Sequence, residues 1–237
     1  MLLLTRCRRS LPELKLWTQF EKWFPERRCR RTLLYAGKGP HALMRYQTRF
    51  LLSALDEKHF PAPTVPEIAF LGRSNVGKSS LLNALVGEKA AKVSSTPGRT
   101  RAINFFQLSD EKERPKLVFS DLPGYGYAKI SKSISAEWPK FIEPYLAERE
   151  TLKLCVCLVD SNISPQQSDG KLLEWLRHVG RDFLVVATKT DRLSGNVRTK
   201  NLAAIKHEFE LDEVLAVSAK TNAGIKELWN RAAALEE

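Results

Sequence analysis

The sequence predicts an α/β fold: a doubly wound, mostly parallel sheet flanked by helices. Three observations carry that expectation. Apolar runs at 68–71, 152–159 and 183–187 are nearly continuous, as strands buried on both faces should be. Stretches with apolar residues at helical spacing lie between and after them, as at Leu172, Trp175, Leu176 and Val179. A glycine-rich turn joins the first run to a helical stretch. Each later polar motif also falls just past a strand's C-terminal end, where such sheets bind ligands.

The chain has 237 residues, enough to bury one good-sized core, and one folded domain is expected. No run of 18 apolar residues occurs, so no transmembrane segment is expected. Met1-Leu-Leu-Leu4 is too short for a signal-peptide core. Cys7, Cys29, Cys155 and Cys157 lack zinc-ligand spacing, and the last two read as small core residues. A reducing, cytoplasmic setting fits. The net charge of +11 is uneven: residues 1–43 hold seven Arg and three Lys against three Glu, a net of +7, leaving +4 for the rest. This basic extension has three readings. It is an arm for nucleic acid or a membrane surface, with Trp17, Phe20 and Phe24 at helical spacing. It is an organelle transit peptide, which Glu13, Glu21, Glu26 and the single Ser10 disfavour. Or it is a disordered extension upstream of a start at Met44, favoured because no core-forming pattern precedes that residue.

Residues 44–66 read as a lead-in, mixed from Arg45 to Phe60 and then broken by Pro61, Pro63 and Pro66. Residues 67–237 read as the globular domain. Its first strand runs Ile68 to Leu71, and a helix follows the turn and ends near Gly87. Glu88 to Arg101 is polar and reads as a mobile loop. Ile103 to Leu108 and Lys116 to Leu122 read as strands about a charged hairpin turn, Asp110-Glu-Lys-Glu-Arg-Pro115. Trp138, Phe141, Ile142 and Tyr145 mark a helix, with Pro139 in its first turn and Pro144 expected to kink it. The buried strands at 152–159 and 183–187 follow, with the Leu172–Val179 helix between. Leu202, Ile205 and Phe209 mark another helix. Val214 to Val217 is a short strand, and Ile225, Leu228, Trp229 and Ala232 face a last helix inward.

The turn Gly72-Arg73-Ser74-Asn75-Val76-Gly77-Lys78-Ser79 satisfies G-x-x-x-x-G-K-[ST] in the strand–loop–helix context that gives the pattern meaning. Gly72 and Gly77 let the backbone turn so that several N–H groups face one anion. Lys78 would reach β- and γ-phosphates, and the Ser79 hydroxyl would ligate Mg²⁺. The strand ending at Asp121 runs into Leu122, Pro123 and Gly124. An acid at this place faces the phosphate loop and holds Mg²⁺ through water, and Gly124 allows close approach of the backbone to the γ-phosphate. Thr188-Lys189-Thr190-Asp191 resembles the N-K-x-D motif of GTPases, with Thr in place of Asn. A carboxylate at Asp191 can accept from the N1–H and exocyclic amine of guanine, which adenine cannot offer. The Lys189 stem would lie over the ring. Val217-Ser218-Ala219-Lys220 carries a resemblance to the companion S-A-K loop, where a backbone N–H meets the guanine carbonyl.

Together, Gly72 to Ser80, Ser94-Ser-Thr-Pro-Gly-Arg-Thr100, Ile103-Asn-Phe-Phe106 and Asp121-Leu-Pro-Gly-Tyr-Gly-Tyr-Ala128 resemble the EngB (YsxC/YihA) family of TRAFAC-class P-loop GTPases, over roughly residues 44–234. The resemblance implies a small G-domain. It also implies a GTPase acting in assembly of the large ribosomal subunit and linked to normal cell division and septation. It further implies that Ser79 and Thr100 ligate Mg²⁺, with Asp121 contributing through water. Gly98, Arg99, Thr100, Arg101 and Ala102 would line the nucleotide. Asp121 to Gly124 would sense the γ-phosphate. Asn75 would hold K⁺ beside the phosphates, which makes Lys78, Thr100 and Asn75 the candidate catalytic residues. Tyr125 stands where Ras-type enzymes carry the water-orienting Gln, so slow intrinsic hydrolysis is expected, raised by K⁺ or a ribosomal partner. Arg99 reads as a charge stabiliser or, favoured, as a solvated or RNA-facing arginine. Tyr125, Tyr127, Lys129 and Lys132 read as an rRNA-binding loop or as an ordinary surface loop. The expected partners are GTP and GDP and the large subunit, its precursor or rRNA, bound by a monomer. The rival function is a nucleotide-gated module at the division apparatus without ribosome contact.

Overall fold

The computed structural model describes residues 46–86, 102–125 and 142–236. Its strands are β1 (Gln47–Ala54), β2 (Glu67–Gly72), β3 (Ile103–Ser109), β4 (Pro115–Asp121), β5 (Leu152–Asp160), β6 (Phe183–Thr188) and β7 (Leu215–Ala216). They form one seven-stranded sheet in the order β1-β3-β4-β2-β5-β6-β7. The β4–β2, β2–β5, β5–β6 and β6–β7 pairs are parallel, whereas β1–β3 and β3–β4 are antiparallel. The helices are α1 (Lys78–Val86), α2 (residues 142–148), α3 (Gln167–His178), α4 (Gly195–Glu208) and α5 (Ile225–Ala233).

All six residues of β2 are buried, because the sheet lies between two helical layers. Strand alternation sends Ile68 and Phe70 to the core beneath Leu81, Leu82 and Leu85 of α1 and Leu228 of α5. Ala69 and Leu71 face the other core, with Tyr145 of α2, Leu172 and Leu176 of α3 and Ile205 of α4. The doubly wound, mostly parallel sheet that the alternation predicts is therefore the architecture. Every predicted strand is present within a residue or two, and the charged turn at Asp110 joins β3 to β4.

β1 is the element the sequence does not announce. It lies inside the stretch read as a lead-in and pairs antiparallel with β3, Phe50 opposite Phe106. An outer strand has only one neighbour, and just Ala54 of its eight residues is fully buried, so apolar alternation is faint. Residues 1–43, the Glu88–Arg101 loop, and Trp138, Pro139 and Phe141 lie outside the described residues.

Glu67 anchors the base of β2. Its side chain, 2% exposed, accepts from Tyr145 Oη at 2.8 Å, Thr151 Oγ1 at 2.6 Å and Arg149 Nε and Nη2 at 2.8 and 2.5 Å. A buried carboxylate is tolerable only with such full pairing. Thus α2 and the turn into β5 are tied to the strand that carries the phosphate loop.

Candidate nucleotide-binding site

The phosphate loop leaves β2 and turns back at once: Val76 N–H donates to Arg73 O at 3.2 Å, and Leu81 N–H to Gly77 O at 2.9 Å. Asn75 has φ 65° and Gly77 φ 107°, two left-handed positions, one on each side of Val76, that a β-branched residue rarely adopts. A Cβ on Gly72 would meet Val76 Cγ1 at 2.7 Å, so only glycine lets the loop fold onto its own strand. Lys78 and Ser79 open α1, where helix N–H groups lack intrahelical acceptors and the dipole favours an anion.

Lys78 Nζ forms an ion pair with the Asp121 carboxylate, and their side chains are 10% and 6% exposed. Two neighbouring parallel strands, β2 and β4, put the loop lysine and the acid side by side. Beyond Asp121, Leu122 and Pro123 are buried, and Gly124 passes so close to Ser74 that a Cβ would lie 3.1 Å from its backbone N. Ser74 N–H donates to Tyr125 O at 3.1 Å, stitching this segment to the loop. The hydroxyl of Ser79 and the carboxylate of Asp121 are hard oxygen donors, few in number, as Mg²⁺ sites completed by phosphate and water require. Among the described residues no cluster of three or more His, Cys, Asp or Glu could hold a metal alone.

The other end of the site is built from β6 and β7. Lys189 turns the chain with φ 58°, and Thr190 is pinned by its N–H and hydroxyl to Val217 O at 3.3 and 2.9 Å. Asp191 stands exposed beyond it, its Oδ1 accepting from the Ser218 hydroxyl at 2.7 Å. Ser218 is fully buried, and its Oγ accepts from Lys220 and Thr221 N–H, each at 3.2 Å. The Ser218 hydrogen bond holds the Asp191 carboxyl below its usual range, so the form able to accept hydrogen bonds from a base persists. Ala219 and Lys220 follow in the same turn.

Thr188, in the place of the usual Asn, is buried and points to the protein. Its hydroxyl donates to Val76 O at 2.6 Å, with Val159 O at 3.1 Å. It therefore ties the base loop to the phosphate loop. Lys189 does the same from above: Nζ donates to Asn75 O at 2.7 Å and pairs with Asp160 Oδ2 at 2.6 Å. Asp160, just past the apolar run at 152–159, belongs to none of the sequence motifs. An acid at the C-terminal end of a buried strand, the same placement as Asp121, was the available signal. Burial pushes the Asp160 carboxyl up, but hydrogen bonds from Lys189 and Asn162 outweigh it, and the net displacement is downward.

Of the residues expected to line the nucleotide, 72–79, 121–124, 188–191 and 217–220 come together along the C-terminal edge of β2, β4, β6 and β7. Ala102 is buried just before β3. Gly98, Arg99, Thr100 and Arg101 lie outside the described residues, as do Tyr127, Lys129 and Lys132. One expectation is corrected. Tyr125 does not offer its ring for stacking on bases; it packs against the core, and its hydroxyl donates to the buried Asp169 at 3.0 Å.

A phosphate loop and a guanine-type carboxylate on one sheet edge define the class: a P-loop GTPase of the small G-domain type. A family model described as a 50S ribosome-binding GTPase matches residues 67–189. A relative from Acidobacterium capsulatum, named "Probable GTP-binding protein EngB", is 66% identical over 188 residues, covering 78% of this chain and 89% of its own. A second so named, from Koribacter versatilis, is 60% identical over 79% of this chain and 93% of its own. The chain belongs to the EngB family of GTP-binding proteins. Solved structures share the fold. A crystal structure of a probable GTP-binding protein engB aligns with TM-score 0.58 at 23% identity, over 72% of this chain and 98% of that one. A point variant of Aquifex aeolicus Era, bound to GDP·AlF4⁻, gives 0.61 at 24% identity, over 72% of this chain and 56% of its own. Among the described residues no helix is long and apolar enough to cross a membrane.

Proposed function

We propose that this EngB-family protein is a GTP-driven switch in assembly of the large ribosomal subunit, acting as a monomer in the cytoplasm and needed for normal division and septation. The observation that carries the switch is the Lys78–Asp121 ion pair. It holds the cation for the phosphates and the acid for the metal in one contact, where the loops after β2 and β4 begin. The description of the matching family model supports the ribosomal part.

In this reading residues 72–79 cradle the phosphates, with Lys78 turned to the β/γ oxygens. Ser79, Thr100 and, through water, Asp121 hold Mg²⁺, which when bound neutralises charge on the phosphates. Asn75 serves a K⁺ ion, and Gly98 to Ala102 line the nucleotide. Residues 121–124 read the γ-phosphate. Asp191 reads guanine, Lys189 covers its ring, and the Ser218-Ala219-Lys220 turn presents a backbone N–H to the carbonyl. Tyr125 offers no amide to orient water, and its phenol is engaged with Asp169. Intrinsic hydrolysis is therefore slow, and K⁺ or the ribosomal partner raises it.

Two measurements test this. Asp191→Asn should lose GTP and GDP and gain XTP, because the amide presents a donor where the carboxylate accepts; equal binding of ATP and GTP by the wild type would refute guanine recognition. Co-sedimentation with large ribosomal subunits should require GTP or a non-hydrolysable analogue. No nucleotide-dependent pelleting would leave the rival reading, a nucleotide-gated module at the division apparatus.

A further inference from the structure

Asp169 is an acid that the functions above do not use. It sits in the first turn of α3, only 4% exposed, with its N–H donating to Gln166 O at 2.9 Å. Burying a carboxylate there is unfavourable unless it is bonded. Its partner is the phenol of Tyr125, at 3.0 Å. The Arg73 side chain lies within electrostatic reach of both groups. Arg73 belongs to the phosphate loop, Tyr125 to the segment after β4 and Asp169 to the opposite helical layer, so three separate elements meet at one carboxylate.

Tyr125 is also held by its backbone. Its carbonyl accepts from Ser74 N–H at 3.1 Å and its N–H donates to Gly72 O at 3.4 Å, a short parallel bridge with Arg73. Its neighbour Gly124 lies against Ser74, where a Cβ would sit only 3.1 Å from the backbone. Those backbone bonds are few, and a two-residue bridge by itself is weak. A charge-assisted bond from the far end of the side chain fixes the ring and leaves the backbone of 124–125 one place to sit.

We propose that Asp169 is a positioning residue for GTP hydrolysis. Through the Tyr125 hydroxyl it clamps the Gly124–Tyr125 backbone to the phosphate loop, and so sets how Gly124 is presented to the terminal phosphate. The inference rests on the reading of residues 121–124 as the γ-phosphate sensor. It assigns the residue after Gly124, where a water-orienting group would stand, a mechanical duty toward α3.

The experiment compares single-turnover GTP hydrolysis and GDP affinity in wild type, Tyr125→Phe, Asp169→Leu, Asp169→Asn and the Tyr125→Phe/Asp169→Leu pair. Small misplacements of reacting groups are costly in rate, so Tyr125→Phe should hydrolyse bound GTP about tenfold more slowly while GDP affinity stays within about twofold. Asp169→Leu should match it, and the pair should be no slower than either alone, since both remove one bond. Asp169→Asn keeps a carbonyl acceptor for the phenol and should recover most of the rate. Wild-type rates in Tyr125→Phe, or hydrolysis and GDP affinity falling together in every variant, would overturn the proposal. A wild type that binds GTP but never cleaves it would instead sink the functional reading beneath it, a separate outcome.

Discussion

Replacing Asp160 with alanine tests how the base end of the site is held. Lys189 Nζ has two fixed acceptors, Asp160 Oδ2 at 2.6 Å and Asn75 O at 2.7 Å, and its side chain is 23% exposed against 16% for Asp160. Asp160→Ala leaves the ammonium with the carbonyl alone and removes the Oδ1 to which Asn162 N–H and Nδ2 both donate, leaving Nδ2 with Lys189 O at 3.3 Å. A hydrogen bond between charged groups is worth about 1.5–3 kcal/mol when shielded. Solvent reaches this pair, so the expected loss of preorganisation is about 1 kcal/mol. That corresponds to a nucleotide Kd roughly fivefold weaker. Because Lys189 belongs to the base end, GTP and GDP should weaken by the same factor. Fluorescent GDP and a non-hydrolysable GTP analogue, titrated against Asp160→Ala, Lys189→Met and the double variant, measure this. The double variant should be far less than additive, as expected for two groups acting as one. An unchanged GDP affinity in Asp160→Ala would refute the reasoning. So would a loss confined to GTP, which would move Asp160's influence to the terminal phosphate.

Two further predictions concern stability. Glu67→Leu removes one side of a buried ion pair and strands Arg149, which should cost about 3–5 kcal/mol in urea unfolding, while Glu67→Gln keeps one acceptor oxygen of the two that serve Tyr145 and Thr151 and should cost less. Equal midpoints for the two variants would contradict the charge-based account. Asp110 predicts an acid dependence: the Arg114 side-chain hydrogen bond, helped by the N–H groups of Arg114 and Lys112, pulls its carboxyl down to about 2. The folded value lies below the ordinary one of about 3.9, so its stabilisation is complete above that pH and disappears as pH falls toward 2. Asp110→Asn should therefore melt below wild type at pH 6 and converge with it near pH 2. A gap in melting temperature that persists at acid pH would count against it.

Much of this site is legible in the chain itself. Gly72 to Ser79 declares its strand–turn–helix context within a dozen residues, because backbone freedom at Gly77 and the helix start at Lys78 are local properties. The continuous apolar runs of β5 and β6 announce burial on both faces, and that places Asp121, Thr188 and Ser218 at one edge of a parallel sheet. What each side chain does there is a different matter. Thr188 reads as a substitute for a base-contacting Asn, yet its one hydroxyl proton goes to Val76 O, 112 residues away in sequence.

The α/β class, the order of the motifs and the two chemistries they serve, phosphate and guanine, all come from the order of residues along the chain. They follow from period, turn residues and the spacing of a few polar groups. The folded arrangement was needed to establish that Gln47–Ala54 is the outer strand, that Asp160 grips Lys189, and that Tyr125 turns inward to Asp169. The physical reason is the same in each case. A one-neighbour strand has little burial to pattern, and an ion pair or hydrogen bond between distant segments leaves no periodic trace. Such contacts exist only once the sheet has brought the ends of β2, β4, β5 and β6 together.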